Sequence, residues 1–159
     1  MTASPAPIAV ARIAAHPGCV SPLADAFARE WPDWAAHTPR SEIERGFQEG
    51  TGGKLPCVWV ALDGGLAVGT IALRPWFAEA PMPQTPWIRG LWVTREYRGR
   101  GIDRLLIAAA ESAARRLGHG VLYAATTRIE RLARRRGWEV FHRFDHDGAP
   151  MAWLRKALN

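Results

Sequence analysis

In the stretch YRGRGIDR, Arg98, Arg100 and Arg104 bracket Gly99 and Gly101. Glycine has no Cβ, so it accepts positive φ and lets a ligand come close to the backbone. A glycine-bearing turn that feeds a helix leaves several backbone N–H groups aimed one way with a favourable dipole behind them, which suits an anion. With arginines on both sides, the chemistry is phosphate binding. The spacing excludes a P-loop, which ends in Gly-Lys-Ser/Thr, and a dinucleotide GxGxxG, whose third glycine would stand at Arg104.

Such a turn needs a strand before it and a helix after it. Trp87 to Val93 is short, apolar and β-branched, and predicts the strand. From Ile102 the period changes: Ile102, Leu105, Leu106, Ala109, Ala110, Ala113 and Leu117 share one helical face, and Gly118 supplies the stop. Upstream, Ile8 to Ile13 reads as a first strand behind an Ala/Pro-rich tail, residues 1–7, expected to be disordered. Ser21 before Pro22 predicts an N-cap and a helix over Pro22 to Glu30. Pro32 and Pro39 then break the pattern, and Thr38-Pro39 restarts a helix to about Glu49. Trp31, Trp34 and His37 fall between these helices.

Pro56 to Leu62 and Leu66 to Arg74 are strand-like and flank Asp63-Gly64-Gly65, a hairpin signal. A proline-rich loop, Ala78 to Pro86, leads back to Trp87. Beyond the central helix come a strand over Val121 to Thr126 and a basic helix from about Arg128 to Arg136, stopped by Gly137. A last hairpin pairs Trp138 to Phe144 with Pro150 to Leu158 around Asp145 to Gly148. The order β, α, α, β, β, β, α, β, α, β, β predicts one α+β domain over residues 1–159, with a mixed, mainly antiparallel central sheet flanked by helices.

At 159 residues the chain is long enough to bury a single core. Hydrophobic content of 48% and charged content of 23% are ordinary for a globular protein, and no run approaches a membrane span. MTASPAP lacks the basic and apolar segments of a signal peptide, so a cytoplasmic location is expected. Cys19 and Cys57 are too few for a disulfide framework and lack zinc spacing, which predicts buried, inert thiols. The net charge of +6 is spread as arginines over helices rather than gathered in one stripe, so no nucleic-acid or membrane partner is called for.

YRGRGID resembles the pyrophosphate-binding signature of the GNAT family of N-acetyltransferases, Arg/Gln-x-x-Gly-x-Gly/Ala. Arg98 and Gly101 are in register, and Asp103 stands where glycine or alanine is usual. The DGG hairpin upstream and the RRGWEV and MAWLRKAL pieces downstream extend the resemblance from about Ile8 to the end. It implies the three-layer acyl-CoA N-acyltransferase fold, acetyl-CoA as co-substrate and no metal. It places the pyrophosphate on Arg98, Gly99, Arg100, Gly101, Ile102, Asp103 and Arg104. The pantetheine arm would lie along the backbone of Leu91, Trp92 and Val93, facing a strand that ends at Thr126.

The resemblance also implies direct attack of a primary amine of a small-molecule acceptor on the thioester, in a ternary complex. Two departures bear on that step. The tyrosine that relatives place four residues before the Gly-Trp pair is Ala133 here, and a glutamate common on the Trp87 strand is replaced within Ile88-Arg89-Gly90. Catalysis then rests on positioning alone or on a substitute. Tyr123 is either that substitute acid or a packing residue.

Trp31, Trp34, Trp76 and Trp87 are candidates for an aromatic acceptor pocket, with Asp33, His37, Glu42, His142 and His146 as polar neighbours. Arg89 either faces the acceptor, favouring a carboxylate or phosphate beside the amine, or points outward. An acyl-CoA sensor without turnover and a peptide acetyltransferase are the alternatives, and exposed tryptophans with a terminal hairpin make a homodimer the expected assembly.

Overall fold

The computed structural model describes residues 7–77, 82–126, 130–146 and 148–159. The expected tail (residues 1–6 of it), most of the first half of the proline-rich loop, the start of the basic helix at Arg128 and the turn residue Asp147 lie outside them. In chain order the elements are β1 Ala9–Arg12, α1 Val20–Glu30, α2 Pro32–Ala36, α3 Arg40–Arg45, β2 Cys57–Asp63, β3 Leu66–Arg74 and β4 Trp87–Val93. There follow α4 Ile102–Arg116, β5 Val121–Thr126, α5 Glu130–Arg135, β6 Glu139–His146 and β7 Ala149–Ala157. The strands form one mixed seven-stranded sheet in the order β1-β2-β3-β4-β5-β7-β6. Pairing is antiparallel for β1 with β2, β5 with β7 and β6 with β7, and parallel for β4 with β5 at Trp87 and Tyr123. All seven expected strands are present, as is the mixed sheet.

The chain divides into two compact units, Met1–Ala72 with Gly90–Ala110 and Leu73–Arg89 with Glu111–Asn159. The first unit is built on an apolar cluster that includes Ile13, Leu23, Ile43, Phe47, Val58, Val60 and Leu62. Its β2–β3 hairpin turns on Gly64 and Gly65, both with positive φ as a tight two-residue turn requires. Gly69 in β3 allows the first half of α4 to come close: a Cβ there would meet the Trp92 carbonyl at 3.0 Å and Leu106 at 3.2 Å.

The helical segment departs from the sequence reading in three ways. α1 begins at Val20, two residues before Pro22, and Ser21 does not cap it. A 3₁₀ turn over Pro17–Cys19 runs straight into the helix, and Pro22 is tolerated in the first turn, where its missing N–H is not needed. Ser21 instead accepts from Arg40, whose Nη2 reaches its carbonyl at 3.0 Å and its hydroxyl at 3.1 Å. Second, Pro32 starts a helix rather than only breaking one: it occupies N1 of the extra helix α2. Thr38 serves that helix, donating to the Trp34 carbonyl at 2.7 Å, and does not cap α3. Third, α3 stops at Arg45 rather than near Glu49. Glu49 is drawn away by Arg12 Nε at 2.7 Å and the Val58 N–H at 3.0 Å.

Along α4 the buried row is Ile102, Leu106, Ala110, Ala113 and Ala114. Leu105 and Leu117, expected on that face, are 47% and 40% exposed. The buried stripe is narrower than the predicted one: it lies mainly along i, i+4, i+8 and i+12, with Ala113 beside it, while Leu105 and Leu117 turn outward. Gly118, at φ 87°, ends the helix with His119 N–H on the Ala114 carbonyl at 3.0 Å, a Schellman closure.

The second unit is held by aromatic packing. Trp87 is fully buried, within 5.1–5.4 Å of the rings of Phe77, Tyr123 and Trp153. Between Val140 and His142 the β6–β7 register shifts, a bulge at Phe141. The bulged Phe141 packs edge-on to Tyr123 at 5.7 Å. Both cysteines are buried, and the Cys57 thiol donates to the Lys54 carbonyl at 3.7 Å.

Candidate active site

In the first unit the turn after β4 has the conformation its glycines suggested. Gly99 and Gly101 both hold φ 80°, and nothing lies within 4 Å of where a Cβ would stand on either. Gly101 is the last residue before α4, and its carbonyl accepts the Leu105 N–H at 3.2 Å. The backbone is thus bent open toward free space at the N-terminus of a fifteen-residue helix. That is the geometry in which unsatisfied N–H groups and the helix dipole hold an anion.

Three side chains fix the turn. Arg98 Nε donates to the Val93 carbonyl at 2.8 Å, and its Nη2 donates to Glu30 Oε1 at 3.0 Å. Tyr97 donates its phenolic O–H to Asp63 Oδ2 at 2.5 Å, and this bond, ahead of burial, raises the phenol's pKa. The Arg100 guanidinium lies 4.6 Å over the Tyr97 ring and donates to the Glu96 carbonyl at 3.1 Å. Arg104 is exposed beside them, and Asp103 is half-buried in the first turn of α4, where the dipole favours a carboxylate.

Of the backbone expected to run beside the pantetheine, Leu91 and Trp92 are half-buried and Val93 is buried, with its carbonyl engaged by Arg98. Gly90, immediately before Leu91, has φ 61° inside the strand, a left-handed backbone conformation that favours glycine. Trp31 and Trp34, 41% and 45% exposed, sit at the junction of α1 and α2. Trp31 stands edge-on to Phe27 at 5.1 Å, which in turn meets Trp92 at 6.1 Å.

The second unit gathers Tyr123, Arg89 and His142 around one aromatic cluster. Tyr123 stacks at a tilt on Trp87 at 5.4 Å. Arg89 lies 4.9 Å over the Phe77 ring and donates to the Phe77 carbonyl. His142 pairs across the strands with Trp153 at 5.1 Å and stacks on Phe144 at 5.6 Å. Trp87, one of the four candidates for the pocket, is core: it has no exposed surface, and its indole N–H is spent on the Gln84 carbonyl at 2.8 Å. Thr126 opens onto a cleft of about 480 Å³ that it shares with Glu130, Arg143, Asp145 and Met151. Ala133 is buried in α5 and carries no group able to move a proton.

A model described as the acetyltransferase (GNAT) family matches residues 21–139. The chain belongs to that family. The match runs through the turn described above.

Solved GNAT structures share the fold. An aminoglycoside 6'-acetyltransferase type Ii is 16% identical, with a TM-score of 0.77 over 95% of this chain and 97% of its own. An aminoglycoside 6'-N-acetyltransferase complexed with coenzyme A is 14% identical, with a TM-score of 0.74 over 95% and 97%. An IAA acetyltransferase from Bacillus cereus is 20% identical, with a TM-score of 0.61 over 96% and 100%. A search of the curated proteins by sequence returns no match.

Glu30, Asp63 and Tyr97 were not among the sequence-derived site residues. Each acts on the turn from 34 or more residues away or through a neighbour, and nothing in local spacing signals such a partner. For Asp63 the hairpin signal was legible, but it pointed to a turn and not to a clamp.

Proposed function

We propose that this protein is an acetyl-CoA-dependent N-acetyltransferase acting on a primary amine of a small-molecule acceptor by direct attack in a ternary complex. The observation that carries the reading is the open turn over Arg98–Gly101 at the start of α4, in a chain whose family is GNAT. Two positive-φ glycines with empty space beside them fit a pyrophosphate, and Arg98, Arg100 and Arg104 supply matching charge. Ile102 and Asp103 carry the next N–H groups, and Leu91, Trp92 and Val93, in the same unit, are assigned to the pantetheine arm. Acetyl-CoA brings the activated acetyl group; the chain's own residues bind and orient it.

Catalysis here is assigned to positioning. Holding amine and thioester in line removes most of the entropic barrier. The leaving group is a thiol, a class whose cysteine member has a pKa of about 8.5, so its thiolate departs without a dedicated acid far more readily than an alkoxide would. Tyr123 sits between Trp87 and Phe141 as a packing residue would. A substrate amine of ordinary basicity, about 10.4, must lose its proton to water, so the rate should climb through the alkaline range without a limb near the histidine value of about 6.5.

Arg89 and His142, both in the second unit, are the proposed acceptor contacts. The acceptor, the cytoplasmic location and a homodimer are part of the same proposal. The buried Ala133 at the usual acid position favours one alternative, an acyl-CoA-binding module without turnover.

The test is a thermal shift with acetyl-CoA followed by thiol release with a panel of amines, on wild type and Arg98→Ala. Stabilisation with thiol release, and CoA affinity weakened at least tenfold in the variant, is expected. Stabilisation without release on any amine would establish the binding module. No stabilisation would end both readings.

A further inference from the structure

Arg89 stands between the buried Ile88 and the positive-φ Gly90 in β4 and is half-buried. A buried charge is costly unless something of opposite sign accompanies it. Its contacts are the Phe77 carbonyl and the Phe77 ring, which soften the cost but carry no charge. Among the described residues, the charge it feels is Arg74, on the neighbouring strand β3 of the sheet. Burial first, and Arg74 second, lower the pKa of Arg89, yet a guanidinium stays charged at any working pH. Arg74 has interactions of its own. Among the described residues, no carboxylate pairs with Arg89.

The guanidinium has five donors in a planar fork, and one bond to a carbonyl leaves most of that fork for a planar or tetrahedral anion. Trp153 adds a second unmet donor to the same cluster: its indole N–H is buried without an acceptor among the described residues, and its ring lies 5.7 Å from Phe77. Among the described residues, the Arg89 fork and the Trp153 N–H together have more donor positions than acceptors, in a half-desolvated place where an ion pair is stronger than in water.

We infer that Arg89, beside Arg74 and over the Phe77 ring, is the subsite for an anionic group, carboxylate or phosphonate-like, carried by the amine acceptor. The inference rests on the acetyltransferase reading and narrows its substrate class to amines that bear a negative charge. The aromatic wall of Phe77 and Trp153 supplies apolar surface next to that charge.

Matched amines on the full chain test it: phenylalanine against phenethylamine, and aminoethylphosphonate against ethylamine, with acetyl-CoA and thiol release as the readout. Wild type should favour the acidic member by about 10- to 100-fold in kcat/KM, chiefly through KM, the range of a charge-assisted hydrogen bond. The pair with the larger ratio identifies carboxylate or phosphonate as the anion. Arg89→Ala should bring the ratio to within about threefold of one, and Arg89→Lys, which keeps the charge but not the fork, should retain part of it. If Arg89→Ala melts below the assay temperature, Arg89→Gln, which keeps a donor for the Phe77 carbonyl, is read in its place.

Equal losses on both members of a pair would show that Arg89 only anchors Phe77, and would overturn the inference. So would a wild type indifferent to the charge. If no amine releases thiol, the transferase reading fails separately. Calorimetric titration of phenylalanine and phenethylamine into wild type and Arg89→Ala then decides: acid-selective binding lost in the variant upholds the subsite, and equal binding removes it.

Discussion

Gly101 and Gly118 flank α4 at its two ends and offer a matched pair. Both hold positive φ, 80° and 87°, and both have no atom within 4 Å of an added Cβ. Alanine at either position therefore meets no clash, only the left-handed backbone penalty of about 1–2 kcal/mol. In a domain of this size that lowers the melting temperature by roughly 2–8 °C, at about 2–4 °C per kcal/mol. The two variants should lose stability alike. They should differ in binding, because the space beside Gly101 is the proposed pyrophosphate site, whereas Gly118 only closes the helix. Calorimetric titration with CoA should show Gly101→Ala weakened at least tenfold and Gly118→Ala within about twofold of wild type. If Gly101→Ala binds CoA normally while paying the expected loss in melting temperature, the turn is a helix entry and not a phosphate site.

Other consequences follow from the same geometry. Tyr123→Phe should change kcat by less than about threefold; a fall beyond a hundredfold would restore Tyr123 as the proton donor. Trp87→Ala should cost about 3–5 kcal/mol, the range for truncating a buried tryptophan, and is read by a circular-dichroism melt. Burial raises the Cys19 thiol pKa, so the folded state holds that proton more tightly than the unfolded chain. Its contribution to stability is complete below the unfolded value of about 8.5 and is lost as pH climbs through the higher folded one. Tyr97, raised by its bond to Asp63, adds a loss of the same sign above about pH 10. Melting temperature should thus fall along the alkaline limb, and Cys19→Ser should flatten its first part.

What was legible in the sequence follows from how far each signal reaches. Period and punctuation are local, so β3, β4 and β5 were found to the residue, and Gly118 marked the end of α4. The helical region before β2 was misread where one residue had two possible jobs. Pro32 both ends α1 and starts α2, and Thr38 points back to a carbonyl behind it rather than on to N–H groups ahead. The α4 stripe was drawn too wide because an apolar residue at i+3 scores the same whether it faces the sheet or the solvent, and Leu105 faces the solvent.

The turn itself shows the limit most sharply. Glycine spacing reveals where a backbone can open, but it does not reveal what holds the side chains around it. Arg98 read as a free cation for phosphate, yet it bridges the Val93 carbonyl and Glu30, which comes from the far end of α1. The pair with Glu30 is partly exposed and contributes little by itself, about 0.2–1 kcal/mol. Its importance is geometric: with Nε on Val93 and Nη2 on Glu30, the guanidinium plane is set before any ligand arrives. Glu30→Gln should therefore act oppositely on two quantities. It removes a competing negative charge, which favours an anion at Arg98, and it loosens the plane, which disfavours one. Salt separates them, since the charge effect fades with ionic strength and the ordering effect does not. CoA affinity in Glu30→Gln that rises at low salt and drops below wild type at high salt would show both; a variant tighter than wild type at every salt concentration would mean Glu30 only competes.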